Sequence, residues 1–232
     1  MTLVFAGGLG GVMELNDSQA VIEPPPSLRR EQLPLIPLML DVSGDPQTPK
    51  PEVVEGDLCS CCGLRTEKLW QGARASLPDL HAVCTLCYLT GHLDSPTAAH
   101  GRLAYLPGIA MSDVHHLQRR ALIAMIGGTR SQRSAGKSLW RWLLLHAREV
   151  ENAFGSARAG EFAGAMKRLP PQKRSKLQAR LNGCALILPA DVFENDLSLL
   201  LPAGRTVEAA LTSRSWGTYT RSDLYAERIP LA

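Results

Sequence analysis

Apolar residues recur at helical spacing through the middle of this chain, and proline breaks every such pattern in its first quarter. Val114, Leu117, Ala121, Leu122 and Met125 predict a helix. Ser112 reads as its N-cap and Asp113 sits in the first turn, where a carboxylate suits the helix dipole. Gly127-Gly128 stops it. A second helix starts near Ala135, with Leu139, Leu143, Ala147, Val150 and Phe154 as one apolar face and Gly155 as its end. Residues 161–169 predict a short helix cut off by Pro170-Pro171, and residues 172–182 another, capped by Gly183. Residues 103–106 and 184–188 are compact apolar runs, read as strands ended by Pro107-Gly108 and by Pro189. From Asp191 onward the pattern weakens.

Residues 1–56 read differently. Pro24-Pro25-Pro26, Pro34, Pro37, Pro46, Pro49 and Pro51 forbid a long helix or a central strand. The segment is an expected extended arm, and its apolar run 33–40 docks either on its own domain or on a partner. The arm holds 8 acids and 3 bases, whereas residues 57–150 hold 6 acids and 11 bases. Arg119, Arg120, Arg130, Arg133, Lys137, Arg141 and Arg148 cluster around the two central helices. Three readings stand for them: a solvated face, contact with an acidic protein segment, or contact with phosphates. Trp140 and Trp142 lie two apart and point to different faces, one for the core and one as an exposed anchor. Trp70 could serve as an anchor likewise.

No run approaches the ~18 apolar residues that a membrane helix needs. The Gly-rich apolar start, residues 3–13, has no basic segment before it and is not read as a signal peptide. The expected compartment is therefore the cytosol, where thiols stay reduced. Six cysteines then point to metal rather than disulfides.

Four of them form two C-x2-C pairs, Cys59 with Cys62 and Cys84 with Cys87, separated by 21 residues. Two such knuckles supply the thiolates of one closed tetrahedral site, read as structural zinc with an iron centre as the rival. A closed shell has no position for a reacting water, so the expected role is to replace a core, not to do Lewis-acid chemistry. Cys61 reads as a bystander and Cys184 as a core residue. His81 and His92 are expected to pack or to hydrogen-bond around the site. His115-His116, adjacent and so on different faces, are expected at the surface. Gly136-Lys137-Ser138 mimics the end of a phosphate-binding loop, but Ser131 stands where that motif needs its first glycine. No Ser-His-Asp order or carboxylate pair suggests catalysis.

The two knuckles resemble the HNH nuclease framework, in which a ββα unit carries an Asp-His or His-His pair after the first knuckle. Here that stretch reads Trp70-Gln71-Gly72-Ala73-Arg74, so the resemblance implies the framework without its catalytic pair. A narrower resemblance, over residues 57–126, is to the IcmJ/DotN family of type IVB secretion and conjugal transfer systems. It rests on Asp57-Leu58-Cys59-Ser60-Cys61-Cys62-Gly63-Leu64, His81-Ala82-Val83-Cys84-Thr85-Leu86-Cys87, Gly91-His92-Leu93, and Gly101-Arg102-Leu103-Ala104-Tyr105-Leu106-Pro107-Gly108-Ile109 leading to Arg119-Arg120-Ala121. The resemblance implies a non-enzymatic zinc adaptor that binds the C-terminal tail of the system's coupling ATPase. It implies a cytoplasmic protein recruited to the inner membrane through a partner, without inserting itself. The alternative is an HNH-like nuclease or nucleic-acid-binding zinc protein, with His81, His92 or His100 in a cryptic centre. The expected architecture is α+β: a Pro-rich arm (1–56), a zinc-stapled HNH-like core (57–110) and a mainly helical region packed on it (111–232).

Overall fold

A computed structural model describes residues 32–33, 35–47, 49–212 and 227–228. The predicted features at residues 3–13, Pro24-Pro25-Pro26 and Pro34 lie outside these. The chain is α+β, with small sheets and eight α-helices among the described residues. In chain order the first elements are β1 (Gln32–Leu33), β2 (Val53–Val54), β3 (Leu69–Arg74), β4 (Leu77–Cys84), α1 (Thr85–Gly91), α2 (Pro96–Ala99) and β5 (Arg102–Tyr105). Then come α3 (Met111–Gly127), α4 (Arg130–Leu145), α5 (Ala147–Phe154), α6 (Ala159–Arg168), α7 (Pro171–Arg180), β6 (Cys184–Ile187), α8 (Val207–Leu211) and β7 (Glu227–Arg228).

Strands β2, β3 and β4 form an antiparallel sheet, β5 pairs antiparallel with β6, and β1 runs parallel to β7. The hairpin β3–β4 runs straight into α1, giving a strand–strand–helix unit. The described part of the arm docks on its own chain. Ile36 N–H donates to Ser60 O, and Leu40 and Val42 are buried in the main core. Asp41, fully buried, accepts from Val42 N–H, Ser76 N–H and Ser76 Oγ. Leu40, Leu69, Leu122 and Met166 share one apolar cluster, so all three sequence segments meet in it.

The β5–β6 ladder is buried on both faces, which is why residues 184–187 are apolar without alternation. Leu103 and Leu186 face the main core; Ala104, Ala185 and Ile187 face a second cluster with Val114 and Leu143. Gln118 of α3 completes the ladder. Its amide donates to Leu186 O and accepts from Leu188 N–H, supplying the bonds a third strand would.

Helix boundaries follow the chemistry of the ends, and three expectations need correction. Helix α3 begins at Met111 after extended Ala110, two residues earlier than a Ser112 cap allows, and Ser112 is buried inside the helix. Helix α4 begins at Arg130, not near Ala135, because Thr129 and Gln132 form a capping box. The apolar face from Leu139 to Phe154 belongs to two helices that break at His146. Gly155 and Gly183 end α5 and follow α7 with φ of 82° each, as expected. Gly136 lies inside α4 and allows close approach to α3: a Cβ there would stand 2.8 Å from Ala121 O. The Gly136-Lys137-Ser138 run is therefore no phosphate loop. Trp140 packs on the core and donates to Leu188 O, while Trp142 is exposed.

Candidate metal centre

The two cysteine pairs reach one point by different routes. Cys59 and Cys62 sit in a tight turn between β2 and β3, where Gly63 takes φ of 69° and donates its N–H to Cys59 O. Cys59 N–H donates to Leu64 O and closes the knuckle. The 21-residue interval is a hairpin out and back. Register pairs Leu69 with Cys84, so the end of β4 returns beside the knuckle. Cys84 ends β4 and caps α1, and Cys87 lies in the first turn of that helix.

The ligand atoms of Cys59, Cys62, Cys84 and Cys87 all lie within 4.8 Å of one another, and all four residues are buried. Cys62 Sγ and Cys84 Sγ are 3.6 Å apart. A disulfide needs about 2.05 Å, whereas a tetrahedron with metal–sulfur bonds of about 2.3 Å sets sulfurs about 3.8 Å apart. All four are free thiols. The residues present fit a metal ion held by four sulfurs.

The electrostatics agree. Burial pushes the Cys62 and Cys87 thiols up. Burial acts the same way on Cys84, but hydrogen bonds from Cys59, Cys62 and Cys87 and the Arg119 charge outweigh it and hold that thiol well below its ordinary range. Cys61, also buried, is pushed up to about 12 by burial and by Cys59, and stays a thiol outside the cluster. Cys184 lies in β6, buried in the core as expected, its thiol pushed up to about 11 by burial.

Helix α3 supplies a layer of groups that the sequence reading placed at the surface. Arg119 is fully buried and its guanidinium donates to Cys84 Sγ at 3.0 Å. His115, one turn earlier and fully buried, sets Nδ1 3.5 Å from Cys87 Sγ. Thr90 gives its hydroxyl proton to Leu86 O, so His115 Nε2 donates to Thr90 Oγ1 at 3.1 Å. His116, buried, meets Cys62 O through Nε2 at 3.2 Å. The surface expectation for His115-His116 and the inclusion of Arg119 in an exposed basic cluster are corrected. The available signal was His115 and Arg119 at i and i+4, on a helix with apolar residues on both flanks of that line.

The two flanking histidines differ from each other. His92 is buried, stacks on Tyr88 with centroids 4.0 Å apart, and donates from Nδ1 to Tyr88 O at 2.9 Å. His81 lies across from Gly72, where a Cβ would stand 2.9 Å from its Nε2. Trp70, half-buried, donates to Thr85 Oγ1 beside the site. Among the described residues, the four cysteines are the one group of three or more Cys, His, Asp or Glu placed to hold a metal ion. No helix among them is long and apolar enough to cross a membrane.

Fold and site together define a small α+β protein organised around a buried four-cysteine centre able to hold a metal ion. No protein-family model matches the chain, and a search of curated proteins returns no match.

Proposed function

We propose that the chain is a non-enzymatic adaptor built on a structural zinc site. Cys59, Cys62, Cys84 and Cys87 would hold the ion, which supplies charge and four fixed bonds to a segment with little core of its own. The observation that carries the reading is that four buried sulfurs lie within 4.8 Å of one another; around one ion they would fill a tetrahedral shell and leave no position for substrate or water. The knuckle followed by β3, β4 and α1 is read as an HNH-like unit, and β3 bears no histidine or aspartate.

The partner class comes from the resemblance to the IcmJ/DotN family: the cytosolic tail of a coupling ATPase in a type IVB secretion or conjugal transfer complex. Such a tail binds as an extended segment in a groove or along an edge. Two adjoining hollows of about 450 and 440 Å³ suit it, between Leu38 of the arm, Met111 of α3 and the Asn182-Gly183 turn. Through its partner the protein is recruited to the inner membrane from the cytoplasm.

Metal analysis of purified protein tests the ion; one zinc per chain is expected, and iron in its place would revise the centre. Co-purification with the ATPase tail tests the partner. Retention after nuclease treatment, lost on Tyr105→Glu at the groove's rim, supports the adaptor. Divalent-metal-dependent cleavage of plasmid DNA that disappears on His81→Ala would establish the nuclease alternative instead.

A further inference from the structure

Helix α4 is seated on α3 by Gly136 and presents a cationic face outward. Arg130, Arg133, Lys137 and Arg141 recur every three or four residues, so they line one side, and all four are exposed. Arg148, exposed on α5, follows them. Helix α4 contains no carboxylate. None of these five cations forms an ion pair among the described residues. Solvated helix faces usually alternate charge at i and i+4, whereas here like charges stand one turn apart.

Trp142, next in sequence to Arg141 and about 100° further round the helix, flanks this face and is 41% exposed. Its ring and that of His146 lie 5.0 Å apart at 76° to each other. We propose that this face binds single-stranded nucleic acid, with the four α4 cations on successive phosphates and Trp142 stacked on a base. Single strands offer free base faces to an exposed indole, and a duplex does not. An acidic peptide would match the charge, but tight peptide docking seats apolar anchors in pockets. Among the described residues, the hollows beside α6, α7 and β6 are lined by no residue of α4. Stacking on an exposed ring needs no pocket.

The test is fluorescence anisotropy with a labelled oligothymidylate of about 12 nucleotides, within the usual range of single-strand site sizes, and the full metal-loaded chain. Four phosphate contacts on a single strand give a log–log salt slope of about −2.8, so affinity falls about 50-fold from ~50 to ~200 mM KCl. Lys137→Ala with Arg141→Ala halves the slope to about −1.4 and the same salt step to about 7-fold. Trp142→Leu costs about tenfold at every salt concentration and leaves the slope unchanged. All three side chains are exposed, so unchanged circular-dichroism melts show that the variants fold. The proposal is overturned by absence of binding at low salt, by a flat salt response, or by a Trp142→Leu variant equal to wild type. Stronger binding to duplex DNA, to polyglutamate or to anionic vesicles overturns it too. None of these outcomes depends on the adaptor reading.

Discussion

Replacing Arg119 by methionine keeps most of the side-chain volume and deletes the charge beside the metal centre. Four thiolates around a divalent ion carry a net −2, or about half a negative charge on each sulfur. Arg119 stands 3.0 Å from Cys84 Sγ. With an effective dielectric constant of about 20, that charge pair contributes about 3 kcal/mol. A hydrogen bond from a charged donor gives about 1.5–3 kcal/mol by an independent route. Arg119→Met should therefore weaken zinc binding about 10- to 150-fold, measured by competition with a chromophoric chelator. The effect should shrink without metal. The four sulfurs then carry less negative charge in all to oppose the buried guanidinium, so the variant should lose less stability in the metal-free state. Arg119→Lys keeps the charge but not the reach of the guanidinium and should fall between the two. Zinc affinity within threefold of wild type for Arg119→Met would refute charge compensation at this site.

Three further outcomes follow from the same geometry. Cys84→Ser removes the ligand that joins β4 to α1 and should abolish stoichiometric zinc and cooperative melting; a wild-type melting curve with bound zinc would contradict the closed centre. Gln118→Leu strands the buried Leu186 O and Leu188 N–H, each costing about 1–3 kcal/mol, so urea unfolding should show a loss of about 2–5 kcal/mol with an unchanged slope. Burial pushes the His92 pKa below 6.5, against the opposing Tyr88 hydrogen bond and Asp94 charge, so the unfolded chain binds a proton more readily. Stability from this group is present above about pH 6.5 and is lost as pH falls below it. His92→Phe, which keeps the ring stacked on Tyr88, should flatten that part of the pH–stability curve, and an unchanged curve would assign the loss elsewhere.

The cysteine pairs could be read in the sequence because knuckle geometry is local. Two residues between ligands and a glycine after them already define the turn, and the 21-residue interval is a hairpin's length. Glycine and proline likewise mark the ends of α3, α5 and α7, since backbone conformation there depends on the residue itself. What surrounds the metal centre is not local. His115 and Arg119 look like surface polar residues in any window of α3, and only the packing of that helix over α1 buries them against Cys87 and Cys84. Arg130, Arg133, Lys137 and Arg141 carry the same charge as Arg119, yet lie exposed on one side of α4. Charge and periodicity are properties of the chain, but whether a cation balances a sulfur cluster or faces solvent depends on which surface folds over it.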